Sequence, residues 1–208
     1  MEGVPAWLRW TRRLAAIAQT GIHYTKDVFD RERFEAVREI AAEMLAEGSG
    51  REIAATAHLF AEDSGYATPK IDVRGAIFRG NRILLVQEQW DRCWSMPGGF
   101  ADIGDTPSAA VEREIQEESG LLAKAQRLIA VLDRDKRGDA PAYAFHIYKL
   151  FFLCAETGGE LKAGSEVIAA DFFHLDHLPP LSRGRTLPWH IQLAAERRDR
   201  PEMPTLFD

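Results

Sequence analysis

Cysteine is scarce in this chain. Cys93 and Cys154 are the two in 208 residues, far apart and in no CxxC pair. A disulfide scaffold is therefore a poor description, and isolated thiols suit a reducing compartment, so the cytoplasm is the expected location. Long apolar runs are missing as well. No window approaches about 18 uninterrupted apolar residues, so no transmembrane helix is expected. The opening MEGVPAWLRWTRR lacks the continuous apolar core of a signal peptide. A surplus of basic residues is also absent. The formal net charge is −6, which does not suit coating nucleic acid or a membrane surface. There is no helix-turn-helix signal and no basic stripe, no internal repeat and no low-complexity tract. The six histidines show no ligand spacing, and His174 and His177 read as surface residues. What remains is an ordinary globular composition, 46% hydrophobic and 28% charged. The length allows one good core, or one domain with a small accessory module.

Residues 1–66 read as a helical module and 67–208 as a second domain, divided near Tyr66-Ala67-Thr68-Pro69. Trp7, Trp10, Leu14, Ile17 and Gly21 recur at helical spacing. A second helix starts near Asp27 or Asp30, carries Phe34, Val37, Ala41 and Met44, and stops at Gly48. Ser49-Gly50-Arg51-Glu52 reads as a capping box opening a third. Such short helices bury little among themselves and need another surface. Trp7 and Trp10 either fill the local core or form an interface with a second copy.

After the linker the period becomes strand-like. Ile71–Phe78 and Arg82–Glu88 flank a hairpin signal, Arg79-Gly80-Asn81. Pro107–Ser119 reads as a helix capped by Asp105 or Thr106 and stopped by Gly120. Further strands are expected at Arg127–Asp133, Tyr143–Ala155 and Val167–Phe173, with Gly158-Gly159 separating the last two. Leu187–Arg197 reads as a closing helix, followed by a loose tail from Pro201.

The chemistry concentrates in GGFADIGDTPSAAVEREIQEESGL, from Gly98. On a helix, Glu114, Glu117 and Glu118 fall within an arc of roughly 100°. Like charges that close repel; Arg113, four before Glu117, offsets part of this. Taken alone, the stretch fits a solvated acidic face. Loop glycines immediately before it, and Asp105 at its start, favour a packed set of hard oxygens of the kind Mg²⁺ takes.

This stretch resembles the Nudix box, G-x5-E-x7-R-E-U-x-E-E-x-G-U, where U is bulky and aliphatic. Aligned on Gly99, it places Arg113, Glu114, Ile115, Glu117, Glu118, Gly120 and Leu121 without a gap. Asp105 stands where the family usually has Glu, at a position read as supporting the loop. Further stretches, including Trp94–Gly99, Tyr148–Cys154 and Leu178–Ser182, resemble a subgroup with an N-terminal helical module. It includes CDP-choline pyrophosphatases and proteins labelled ADP-ribose pyrophosphatases.

The resemblance implies an α+β fold, a mixed β-sheet between helices, and a homodimer. It implies hydrolysis of the pyrophosphate bond of a nucleoside diphosphate derivative. CDP-choline-like substrates are favoured. ADP-ribose is the alternative, and a non-catalytic nucleotide sensor a further one. Glu114, Glu117 and Glu118, with Gly98, would hold Mg²⁺ (or Mn²⁺), and Arg113 would orient the carboxylates. The general base is either a box glutamate or Glu166 on a later loop, itself otherwise an ordinary loop acid. Gly98 and Gly99 would approach the substrate. Arg74 and Lys70 either meet phosphates or are surface charge. Trp90 and Trp94 either stack on a base or choline ammonium, or pack in the core. The expected partner is a nucleotide-type small molecule, with neither nucleic acid nor membrane.

Overall fold

The computed structural model describes residues 4–136, 141 and 143–208. They form two compact units, one of Met1–Lys70 with Ala142–His146, the other of Ile71–Pro141 with Ile147–Asp208.

The first unit contains α1 (Ala6–Tyr24), α2 (Val28–Ser49) and α3 (Ile53–Glu62). Helices α1 and α2 lie antiparallel and pack through their glycines. The Trp7 ring covers Gly48 and the Phe34 ring covers Gly21, so a Cβ at either glycine would lie 2.5 Å from the ring. Leu8, Ala41, Ala42, Leu45 and Phe60 form the core, joined by Ala144. Asp27 caps α2 by accepting from the Asp30 N–H, at 2.9 Å. The capping box expected at Ser49 does not form. That hydroxyl donates back to the Leu45 carbonyl, and α2 runs through Gly48 to end on left-handed Gly50 (φ 69°). Helix α3 starts at Ile53 with no side-chain cap. The two tryptophans part company: Trp7 joins the local core, whereas Trp10 is 56% exposed. Ile17 and Tyr24, each seven residues further along α1, are exposed with it. That spacing puts all three on one helix face.

The second unit contains two sheets. One has the order β1-β6-β5-β8, the other β2-β3-β4 with β7 on β3. These strands are β1 (Lys70–Ala76), β2 (Phe78–Arg79), β3 (Arg82–Glu88), β4 (Trp94–Ser95), β5 (Leu121–Asp133), β6 (Ile147–Gly159), β7 (Val167–His174) and β8 (Leu206–Phe207). Helices α4 (Pro107–Ser119) and α5 (Pro188–Asp199) take separate cores. Alternate strand residues supply each. Val73, Leu84, Phe152 and Cys154 meet Ala110, Val111 and Ile115 of α4. Ala76, Ile83, Leu85 and Phe151 meet Ile191, Leu193 and Ala194 of α5. Period-2 patterning on strands buried from both sides thus yields the sandwich. The sheet is mixed, since β8 runs parallel to β5 while β6 runs antiparallel.

Four expected boundaries move. Strand β5 starts at Leu121, ahead of the expected Arg127. Strand β6 starts at Ile147, and Tyr143 belongs to the helical unit, its carbonyl accepting from Arg12. Gly158-Gly159 is no separator but the end of β6, paired with Leu121 and Leu122. The tail is not loose. Leu206 pairs with Ala130, and the Thr205 hydroxyl donates to the Leu128 carbonyl at 2.8 Å.

Candidate active site

Strand β1 supports the glycine loop along its length. The Val73 N–H donates to the Gly99 carbonyl at 2.8 Å, Gly75 N–H to Pro97, and Ala101 N–H to Ile71. Gly98 has no room for a side chain, because a Cβ there would lie 1.9 Å from the Val73 carbonyl oxygen at φ +141°. Gly99 faces the helix: a Cβ on it would come within 2.7 Å of Glu114 Oε2. The segment after β6 packs on the far end of α4. The Gly164 N–H donates to the Glu118 carbonyl at 3.1 Å.

Helix α4 then presents the carboxylates. Thr106 caps it by accepting from Ala109 N–H, and Gly120 ends it in the left-handed region. Glu118 is 4% exposed, and its Oε2 accepts from the Gly98 N–H at 2.8 Å. Burial pushes its carboxyl up to about 7; Arg74 and the Gly98 N–H pull the other way, while Glu88 and Glu114 add repulsion. Glu114 is also raised, first by burial, with Arg113 and Arg74 opposing. Glu117 is 52% exposed on its side chain.

Arg113 gathers the acids. Its Nη1 lies 3.0 Å from Glu114 Oε1 and 2.7 Å from Glu117 Oε2. Its Nε lies 3.1 Å from Asp105, and its Nη2 3.2 Å from Asp102. Asp105, one methylene shorter than the family's usual glutamate, still reaches this guanidinium. Burial works against the Arg113 charge, but these carboxylates hold its pKa above the ordinary value.

Arg74 is not a surface charge. It is 1% exposed, its guanidinium bidentate on Asp72 at 2.8 Å and donating to the Met96 carbonyl at 3.1 Å. A guanidinium spent this way supports the carboxylates from below, with Glu118 and Glu88 within its field. Burial opposes the charge of Asp72, yet Arg74 and Lys149 hold that carboxyl well below the usual range. Lys70 belongs to the helical unit, where it pairs with Asp63 at 2.9 Å and lies over the Phe145 ring. Trp94 packs edge-on against Phe173 at 4.5 Å, which leaves Trp90, 67% exposed, as the indole facing outward. Glu166 is exposed in the turn before β7, next to Ser165, whose carbonyl accepts from Gln89.

Several charged residues at the site belong to no motif in the sequence. Asp72, Glu88 and Lys149 are buried charges on strands, and Arg185 pairs with Glu88 at 3.1 Å. The available signal was a charge at a core-facing strand position, which demands a partner when buried.

The donor set suits a hard divalent cation. The carboxylates are crowded: Glu114 pushes the Glu118 carboxyl up and Glu117 pushes that of Glu114 up, and Gly99 keeps the space in front of Glu114 clear. Added positive charge would relieve that repulsion, and oxygen-only ligands favour Mg²⁺-like ions.

Comparison with known proteins bears on the same region. A NUDIX domain model matches residues 68–194. A UDP-X-like N-terminal oligomerisation domain matches residues 5–60. YjhB of Bacillus subtilis, provisionally named an ADP-ribose pyrophosphatase, is 45% identical over 202 residues, covering 97% of each chain. An ADP-ribose pyrophosphatase of Methanocaldococcus jannaschii is 40% identical over 56% of this chain and 69% of its own. Among solved structures, an ADP-ribose pyrophosphatase of Streptococcus suis is 41% identical, with a TM-score of 0.62 over 68% of this chain and all (100%) of its own. A UDP-X diphosphatase is 34% identical, with a TM-score of 0.63 over 97% of this chain and 98% of its own. With its box in place and relatives matching nearly end to end, the chain belongs to the Nudix hydrolase family, as a pyrophosphatase with an N-terminal oligomerisation-type module.

Proposed function

We propose that this protein hydrolyses the pyrophosphate link of a nucleoside diphosphate joined to a second group, using Mg²⁺, which Mn²⁺ can replace. The observation that carries this reading is the carboxylate set of α4 beside a glycine loop: Glu114 and Glu117 gathered by Arg113, and Glu118 held by the Gly98 N–H. In this reading those glutamates and the Gly98 backbone hold the ion. When bound, the ion neutralises diphosphate charge and acidifies water.

The chain's own residues do the positioning. Arg113 fixes Glu114 and Glu117 relative to each other, and Asp105 fixes Arg113. The Gly98 N–H sets the rotamer of Glu118. Gly98 and Gly99 let the substrate's phosphates approach the backbone. Glu166, exposed on a loop anchored to α4, is the candidate general base, with a box glutamate as the alternative. Lys70 and Trp94 are occupied by Asp63 and Phe173, and buried Arg74 supports the site through Asp72 and the Met96 carbonyl.

We place ADP-ribose first among substrates, on the support of relatives named for that activity. CDP-choline stands second because exposed Trp90 offers a ring face to a quaternary ammonium. A panel of ADP-ribose, CDP-choline and UDP-linked compounds with Mg²⁺, coupled to a phosphatase, tests both. Turnover of at least one compound is expected, falling by orders of magnitude in Glu117→Gln. No turnover of any compound would sink the reading.

The proposed division is a helical module to about residue 66 and a catalytic domain beyond it. The module serves homodimerisation through the exposed Trp10, Ile17 and Tyr24 face. A monomeric mass at micromolar concentration would count against it.

A further inference from the structure

Glu88 ends β3 beside the carboxylate cluster but lies outside the box. It is buried, at 3% exposure, and its charge acts on Glu118. Its Oε1 accepts from the Ser95 hydroxyl at 2.7 Å and faces Arg185 Nε at 3.1 Å. A buried carboxylate that close to other carboxylates is costly unless a cation is meant to sit on it.

Arg185 comes from a tight turn. Its N–H and that of Thr186 both donate to the Ser182 carbonyl, at 2.9 and 2.8 Å. The turn is fastened to the strand leading into the glycine loop: Ser182 N–H donates to Trp94 at 2.8 Å, and Met96 N–H to the Thr186 hydroxyl at 3.0 Å. The Arg185 carbonyl accepts from buried Lys149 at 2.9 Å. Backbone and Nε are thus both held. The side chain is 34% exposed, and Nη1 and Nη2 have no partner among the described residues. The neighbouring cations are spoken for. Arg113 pairs through Nε and Nη1 with Asp105, Glu114 and Glu117, and its Nη2 is buried against Asp102 without a hydrogen bond. Arg74 and Lys149 are buried on Asp72.

We propose that Arg185, presented by Glu88 and the 182–186 turn, is a substrate-binding residue whose free guanidinium edge takes the diphosphate oxygens at the carboxylate cluster. Arginine's planar fork suits phosphate, and fixing Nε beforehand lowers the entropy lost on binding. The inference rests on the pyrophosphatase reading and adds the residue that meets the anion beside the metal.

Calorimetric binding of inorganic pyrophosphate in the presence of Mg²⁺ tests it on the full chain, with Mn²⁺ binding followed separately by electron paramagnetic resonance. Arg185→Ala is expected to weaken pyrophosphate binding about ten- to hundredfold, the range for charge-assisted hydrogen bonds. Mn²⁺ affinity should stay within about twofold, as expected for a group that meets phosphate through charge-assisted bonds and not the metal. Arg185→Lys should recover part of the loss, and free guanidinium ion should restore some binding to Arg185→Ala. Unchanged pyrophosphate binding overturns the proposal. So does parallel loss of Mn²⁺ binding, which marks a structural role. If Arg185→Ala does not fold, Arg185→Gln against Arg185→Lys carries the comparison, and equal binding by the two overturns it. Wild-type protein that binds pyrophosphate but cleaves no nucleoside diphosphate derivative counts against the proposed function, not against this residue.

Discussion

Stripping the protein of divalent ions exposes the cost of Glu118. Burial, with Glu88 and Glu114 nearby, pushes its carboxyl from 4.5 to about 7. Between those values the native state holds a proton that the unfolded chain has lost, so stability falls as pH rises across that window. Below it both states are protonated; above it the full penalty is in place. The interval, 7 − 4.5 = 2.5, at about 1.4 kcal/mol per pH unit sets a ceiling of about 3.5 kcal/mol. Glu114 is raised as well and works in the same direction. The proposed Mg²⁺ would bind the ionised form, so adding it should remove the loss. Urea denaturation in a chelator, at about pH 5 and about pH 7.5, compares wild type with Glu118→Gln, which has no proton to lose there. Wild type should lose about 1–3 kcal/mol more than the variant on going up in pH. Parallel profiles, or a wild type that gains stability relative to the variant, would refute the reasoning.

Other perturbations follow from specific contacts. Gly98→Ala puts a Cβ 1.9 Å from the Val73 carbonyl at φ +141°. It should cost about 2 kcal/mol or more and abolish Mg²⁺-dependent turnover, read by melting temperature and activity together. Lys149→Met removes a donor from Asp72 and from the Arg185 carbonyl. A destabilisation of about 2–4 kcal/mol is expected in urea titration, and a change within experimental error would contradict the buried network. Ile17→Glu, on the exposed face of α1, should convert the proposed dimer to monomers by light scattering without unfolding α1. Persistence of the dimer moves the interface elsewhere.

Local signals made much of this legible in the sequence. Helix α4 follows from Thr106, Pro107 and Gly120, each acting through its own cap or dihedral. The same helix carries the box, so its spacing led straight to the acids that Arg113 gathers. Long-range effects were not visible. Arg74 reads in the sequence as a phosphate contact or a surface charge, because its partners, Asp72 and the Met96 carbonyl, meet it only once β1 and the loop are folded together. Glu88 and Arg185 lie on a strand end and a distant turn, and no spacing links them. Ser49-x-x-Glu52 has the capping-box pattern, but Gly50 took the left-handed conformation and the hydroxyl turned back into α2. The tail looked loose because β8 gains its order from pairing with β5, far away in sequence.

The most direct test of the central claim is product analysis by mass spectrometry after incubating the metal-replete protein with ADP-ribose. Cleavage at the pyrophosphate should give AMP and ribose 5-phosphate in equal amounts, stopped by chelator and restored by Mg²⁺. Cleavage at any other bond, or product formation that the chelator leaves untouched, would contradict the account.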